Sequence, residues 1–445
     1  MASQKVVIVG AGLAGSLMSI FLAQRGFEVE VYEKRPDMRR QTVAGGRSIN
    51  LALSHRGIRA LNQLGIAPDI LQKAIPMYGR MLHNLSGEQL HLPYGKDTSE
   101  YINSISRGDL NIDLMNLTEP HPHVSYFFNE TCMGVDLDAA TLSFYNTQHQ
   151  TTKEVKAAAI IAADGAGSVI RQAMMQYEGY EAQSDFLAHG YKELTIPSGK
   201  DNTFLIEKHA LHIWPRGSHM LIALPNLDGT FTVTLFLANE GENSFASLDT
   251  PERVQHFFKQ QFPDTLSLMP QLTQEFFENP TGLLGTVKCY PWTYKNTLLL
   301  GDAAHAIVPF YGQGMNASFE DCFLLDQCIE AHGADWPTVF AAYQQRRKAD
   351  TDAIADLAVE NFYEMRDKVA DPEFQQMREL EHLLENKYED YHSKYSMVTF
   401  HPEIGYAEAK QRGNKQNKVL YDLCLQVDHL DALNLQEVYE MVKSL

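Results

Sequence analysis

Three groups of residues in this chain have the types and spacing to do chemistry. The first is Gly10, Gly12 and Gly15, a G-x-G-x-x-G, followed by the acidic Glu33. Gly10 permits a tight turn, Gly12 lets backbone approach a pyrophosphate, and Gly15 lets a helix pack closely on a strand. Glu33 stands where a carboxylate accepts hydrogen bonds from a ribose. The second group is Gly301-Asp302 with Gly312 and Gly314 in "GDAAHAIVPFYGQGMN". A carboxylate there can reach a sugar hydroxyl chain, and a helix starting near Met315 or Asn316 would aim free N–H groups at an electron-rich ring. The third is Asp164-Gly165 with Ser168 and Arg171, which taken alone reads as a plain turn.

Particular elements must position these groups. Val6–Val9 is an apolar run of the kind that forms a buried parallel strand. Leu13, Leu17 and Ile20 recur at spacings of four and three, which predicts a helix with one buried face. Gly26 is placed to end it, and "EVEVYE" resumes as a strand closing on Glu33. The G-x-G-x-x-G alone fits FAD or NAD. The 301–316 stretch separates them, because a simple NAD fold needs no second dinucleotide-facing segment so far downstream. An extended FAD does, with its ribityl chain on Asp302 and its isoalloxazine edge near the backbone of Met315 and Asn316. "VKAAAIIAADGAGSVIR" (155–171) reads as a single buried strand ending at Asp164-Gly165. "FTVTLF" (231–236) alternates as a half-buried strand and, with "HMLIALP" before it, predicts an antiparallel sheet.

Composition sets outer bounds. The chain has 445 residues and a formal charge of −19, against the basic surface that nucleic acid or anionic lipid requires. At 44% hydrophobic and 10% aromatic, it reads as an ordinary folded protein with room for two or three domains. Its five cysteines, Cys132, Cys289, Cys322, Cys328 and Cys424, lack metal-site spacing and read as free thiols in a reducing cytoplasm. No metal site is expected. "MASQKVVIVG" carries no signal-peptide pattern, and no apolar run reaches the roughly 18 residues of a membrane span. Three features read as structural: the basic "KRPDMRR" (34–40) as a solvated loop, "PHPH" (120–123) as a turn, and His305 as a structural histidine.

The three motifs, in this order, resemble those of the p-hydroxybenzoate-hydroxylase class of flavoprotein monooxygenases. Further stretches look like the kynurenine 3-monooxygenase family: "GRSINLALSHRG" (46–57), "GRMLH" (79–83), "PYG" (93–95), "SISRGDLN" (104–111), "HIWPRG" (212–217) and "YSMVTF" (395–400). The likeness runs from about residue 5 to about residue 410. Some relatives carry a C-terminal membrane anchor, whereas this C-terminus is charged throughout, which points to a soluble, bacterial-type form.

The resemblance implies an α/β fold: a Rossmann-like three-layer FAD-binding domain (1–75, 105–180 and 285–340), an interleaved antiparallel-sheet substrate domain (76–104 and 181–284) and a C-terminal helical region (341–445). It implies tightly bound FAD, NADPH as transient co-substrate, and L-kynurenine and O2 as partners. The implied reaction is hydroxylation to 3-hydroxy-L-kynurenine through a flavin C4a-hydroperoxide, within tryptophan degradation, with no catalytic side chain. Arg80, Tyr94 and Tyr395 would hold the substrate carboxylate, Asn361 would help at that end, and Phe310 would line the pocket. On the flavin side the resemblance adds Ala14, Tyr32, Lys34, Arg35, Ala52, Arg107 and Cys132. By residue type alone, Arg80 reads as a solvated surface charge and Tyr94 as a structural turn, while Arg107 equally fits a surface charge. Asn361 equally fits a core amide bonded to backbone, on a helical stripe with Ile354, Leu357 and Met365. A hydroxylase of another aromatic remains the alternative, and product identity separates the two.

Overall fold

A computed structural model of the protein describes residues 4–40, 50–364 and 371–445. Met365 of the predicted stripe and residues 46–49 of "GRSINLALSHRG" lie outside them.

The apolar strand Lys5–Val9 is the centre of a six-stranded sheet. Glu28–Tyr32 and Val124–Phe127 lie to one side, with Ala159–Ala162, Thr297–Leu299 and Thr293–Tyr294 to the other. All neighbours are parallel except the last pair. Val6, Val7 and Ile8 are wholly buried, as a strand covered on both faces requires. Register determines where the loops emerge. Val9 pairs with both Tyr32 and Ala162, and Ala162 pairs with Leu299. The loops bearing Gly10, Glu33, Asp164 and Asp302 therefore leave the same edge of the sheet, the edge where open α/β sheets take ligands.

Packing explains two of the glycines. A Cβ on Gly15 would lie 2.0 Å from the Gly10 carbonyl oxygen, so helix Leu13–Gln24 could not seat on the strand. Gly10 has φ +101°, and a Cβ there would meet the Ala163 carbonyl at 2.4 Å. The helix is buried all round from Gly15 to Ala23 rather than on one face, with Leu13 only partly buried. It is sandwiched between the sheet and helix Gly314–His332.

Stretch 155–171 is not one strand. Thr151–Lys156 ends a three-stranded antiparallel sheet, and Ala159–Ala162 joins the large parallel one. Ala157 and Ala158 bond elsewhere, to Ala140 and Lys5, and that divides the run.

A second, seven-stranded sheet has the order 282–290, 181–196, 231–238, 220–225, 210–215, 79–83, 89–93. It is antiparallel with one exception: Ala210–Pro215 runs parallel to Gly79–His83. Phe231–Ala238 is more buried than its alternation predicts, because Thr234 is 3% exposed. An apolar cluster containing Phe257, Phe258 and Phe262 covers one face of this sheet, and a second cluster with Phe310 and Phe362 packs Met220 and Phe236 on the other. Gly282–Tyr290 crosses the boundary expected at 285.

Helix Trp336–Tyr363 starts well before the predicted stripe, behind Asp335 and with Pro337 in its first turn, where proline costs no helix bond. Pro372–Lys387, Lys394–Thr399, Tyr406–Cys424 and Leu435–Lys443 complete the C-terminal helices. Among the described residues, no helix is long and apolar enough to cross a membrane.

Candidate functional site

A cavity of about 1800 Å³ runs from the edge of the parallel sheet to the underside of the seven-stranded sheet and on to the C-terminal helices. Gly10, Gly12, Ala14, Tyr32, Glu33, Lys34 and Arg35 line one part. Ala52, Arg107, Cys132, Asp302 and Met315 line the adjoining wall, and Arg80, Tyr94, Phe310, Asn361 and Tyr395 line the rest. Of the residues expected from the sequence, Gly15 and Asn316 stand behind the wall. Gly15 makes the close helix–strand contact. Asn316 is fully buried and fixes the loop with its side chain: it accepts from the Ser54 N–H at 2.9 Å and donates to the Ala52 and Gly312 carbonyls at 2.8 and 2.9 Å.

The dinucleotide end is built from local geometry. A Cβ on Gly12 would meet nothing within 4 Å, so this turn opens on the cavity. The Glu33 carboxylate accepts from the Ala11 N–H at 2.9 Å and from the Arg35 N–H and Nε at 3.0 and 2.7 Å. Burial alone would push the carboxyl up, but Arg35 and the backbone donors bring it below the usual range. Asp164 is the opposite case. Burial raises its carboxyl, although Ser168 and nearby N–H groups oppose this, and its Oδ1 has no hydrogen-bond partner. Burial also raises Asp302, against the charges of Arg107 and His305. A buried orphan oxygen costs about 1–3 kcal/mol, and a donor from a bound polyol would remove that cost. Helix Gly314–His332 begins beside these carboxylates, with Gln313 as its N-cap. The Gly314, Met315 and Asn316 N–H groups precede any intrahelical acceptor. Burial pushes the Cys132 thiol up to about 11, so it is an uncharged wall.

The other end is built from distant segments. Arg80 lies in strand Gly79–His83, Tyr94 just beyond strand Gln89–Pro93, and Tyr395 in helix Lys394–Thr399. The two tyrosine rings are parallel within 11°, with centroids 5.7 Å apart. The Arg80 guanidinium carbon lies 5.2 Å from the Tyr94 ring centre and 4.5 Å from that of Tyr395. Among the described residues, Arg80 has no carboxylate within ion-pair distance and the buried Tyr94 hydroxyl has no hydrogen-bond partner. Burial works against the Arg80 charge, but Tyr395 and Tyr94 carry its pKa above the usual arginine value. A guanidinium without an acid partner, next to an orphan hydroxyl, is the donor set for a carboxylate. Asn361 donates to the Phe310 carbonyl at 2.7 Å, so it is bonded to backbone and lines the cavity as well. The Phe310 ring packs on Phe236 and Phe362 at 4.9 and 4.6 Å.

Sequence reasoning missed two groups. Tyr311, beside Phe310, lines the cavity and stacks on Tyr395 at 5.8 Å; its position in the Pro-Phe-Tyr-Gly loop was the available signal. Arg378 lines it too, paired with Glu381 at 2.6 Å and Glu364 at 3.2 Å. Glu381 is its i,i+3 neighbour on one helix, but Glu364 stands at the end of another, and no local spacing marks that second pairing or the side chain's place in the cavity. His305 is structural as expected: it contacts Asp321 at 2.6 Å, and Arg347 holds Asp321 at 2.6 Å, all fully buried. Within "KRPDMRR", Arg39 pairs with Asp37 and Glu119. All five cysteines are free and buried.

Comparison with known proteins gives the family and the fold. The FAD binding domain family matches residues 3–358. A kynurenine 3-monooxygenase of Myxococcus xanthus is 48% identical, over 99% of this chain and 95% of that protein. One from Dictyostelium discoideum is 45% identical, over 98% and 96%. Among solved structures, a tetrameric 2-methyl-3-hydroxypyridine-5-carboxylic acid oxygenase shares the fold at 21% identity and TM-score 0.66, covering 84% of this chain and 95% of that one. PqsL, a probable FAD-dependent monooxygenase from Pseudomonas aeruginosa, does so at 17% and 0.65, over 82% and 97%. Identity this high over nearly the whole length of both chains, with the FAD binding domain model matching most of this one, means that the chain belongs to the kynurenine 3-monooxygenase family of FAD-binding proteins.

Proposed function

We propose that this chain hydroxylates L-kynurenine to 3-hydroxy-L-kynurenine with FAD, NADPH and O2. The observation that carries the substrate end is Arg80, half-buried and without an acidic partner among the described residues, between Tyr94 and Tyr395. Arg80 and the two tyrosine hydroxyls bind the amino-acid carboxylate. Asn361 anchors Phe310, whose ring with Phe236 and Met220 forms the apolar wall for the aromatic part. Glu33 takes the ribose, and Gly10, Gly12 and Ala14 leave room for the pyrophosphate. Asp302, facing Arg107, takes the ribityl hydroxyls, and Met315 and Asn316 offer backbone N–H groups to the flavin ring. Tyr32, Lys34, Arg35, Ala52 and Cys132 flank it.

When bound, the flavin supplies hydride acceptance from NADPH and activation of O2. The protein holds the electron-rich ring position ortho to the amino group toward the flavin and keeps water out. The sheet of 181–290, with its two strands from 79–93, acts as the substrate roof, and the helices after 340 close the far side. Five free, buried thiols support a reducing, cytoplasmic setting.

The test is NADPH oxidation by the flavin-loaded protein with and without L-kynurenine, with the product weighed. Stimulated oxidation and a product one oxygen heavier support the reading. Stimulation with hydrogen peroxide alone would assign the true substrate to another aromatic amino acid. No stimulation would remove kynurenine.

A further inference from the structure

Two turns of chain far apart in sequence must meet to make the proposed carboxylate site, and one buried acid touches both. Glu100 is 9% exposed. On one side it packs on Gly95, the residue after Tyr94: a Cβ on Gly95 would lie 2.0 Å from Glu100 Oε2. On the other side Ser396, the residue after Tyr395, donates its hydroxyl to Glu100 Oε1 at 3.3 Å. That same oxygen lies 3.6 Å from His401 Nε2, a nitrogen with no hydrogen-bond partner, and His401 Nδ1 contacts Glu403 at 2.8 Å.

We propose that Glu100 is a positioning residue for the substrate carboxylate: it ties the Tyr94 turn to the Tyr395 helix, and the charge on His401 makes that tie proton-dependent. The inference rests on the assignment of Arg80, Tyr94 and Tyr395 to the substrate.

The chemistry around the pair supports it. Glu100 is the main influence raising the His401 imidazole, against burial, with Glu403 adding to it. Burial would push the Glu100 carboxyl up, but His401 and Ser396 bring it below the usual range. His392, ring to ring with His401 at 3.8 Å, is pushed down to about 4 by burial and by the His401 charge, so it stays neutral and competes for no acid. Lys96 and Arg412 also face this cluster. Glu385 lies on its other side, pushed up to about 7 by burial and held by the Ser393 N–H. A histidine raised by its partners is charged below its folded pKa and loses the pairing as pH rises through it. Substrate binding therefore weakens as pH rises through the raised His401 pKa, and because Glu100 acts through the Tyr94 turn and the Tyr395 helix, the effect falls on KM and not on kcat.

The experiment measures kcat and KM for L-kynurenine with the flavin-loaded enzyme from about pH 6 to about pH 9. It compares the parent protein with Glu100→Gln, His401→Gln and Arg80→Met. Glu100→Gln should raise KM roughly tenfold, the size of a lost charged hydrogen bond, with kcat changed less than about twofold and flavin content kept. In His401→Gln the rise in KM with pH should disappear. If Arg80→Met raises KM and Glu100→Gln does not, the tie is overturned and the site assignment stands. If Arg80→Met leaves KM unchanged, the site assignment itself fails. A rise in KM that persists in His401→Gln overturns the proton dependence and moves the titration to Glu385. Should Glu100→Gln fail to fold, His401→Gln, at a partly exposed position, carries the test alone.

Discussion

Arg80 is held by aromatic faces instead of by an acid. That choice matters, because an internal carboxylate would compete with the substrate for the same two N–H groups. Cation–π contact keeps the guanidinium in place without an acid on it. Removing the charge should expose how much of substrate binding passes through it. Arg80→Met should weaken L-kynurenine binding by about 2–4 kcal/mol, read as a loss of equilibrium affinity by flavin absorbance titration, with the flavin itself still bound. An unchanged dissociation constant would exclude Arg80 from the site. Nothing in the residues around Arg80 announces this role: "GRMLH" fits any edge-near strand, and the assignment entered through resemblance. Glu33 is different. Its distance from the glycines and its position at a strand end already point to a ribose acceptor by local chemistry, and the structure has it in the cavity wall with the Ala11 N–H as a fixed donor.

At the scale of elements, the glycine turn and the Gly-Asp loop are set by opposite means. The first relies on missing atoms. Gly15→Ala adds one methyl group 2.0 Å from the Gly10 carbonyl, so helix Leu13–Gln24 must lift from the sheet. We expect a loss of about 1–3 kcal/mol in denaturant unfolding and a lower flavin-to-protein absorbance ratio. A variant with parental stability and full flavin would show that the close approach is not needed. The second relies on buried charge. Arg347 binds Asp321, Glu320 and the Ala317 carbonyl, while Arg56 joins Glu320 to the carbonyls of Val398 and Ile404. This network clamps the start of helix Gly314–His332 between helix His55–Gln63, the long helix Trp336–Tyr363 and the C-terminal segments. Breaking one partner of such a network leaves an uncompensated buried charge, which costs more than the pair contributes. The glycine turn was legible because its constraints span a few residues. The clamp was not, because Arg56, Asp321 and Arg347 look like ordinary helix-surface charges until four elements pack together.

The whole molecule carries an acid sensitivity that comes from burial. His212, His219 and His392 are each pushed down to about 4, chiefly by burial. In the unfolded chain they take up protons near the ordinary value of about 6.5. Between those limits the unfolded state binds more protons, so stability is full above about pH 6.5 and falls as pH drops toward about 4. The unfolding midpoint in denaturant should decline steadily across that window, and a flat midpoint would contradict it. The packing around these histidines also divides what the sequence determined from what it did not. Glycine spacing, an apolar strand, an acid at a strand end and a Gly-Asp before a helix are local signals, and they determined the parallel sheet and its dinucleotide edge. The tertiary structure decided the rest. It split 155–171 between two sheets, set one parallel pair into the roof, buried Thr234 on a strand expected to be half-exposed, and drew Tyr311 and Arg378 into the cavity. It also brought Arg80, Tyr94, Asn361 and Tyr395 to one cavity. The physical reason is range: a turn is specified by the atoms within it, whereas a cavity wall made from a strand, a turn and two helices exists only after the sheets and helices have packed.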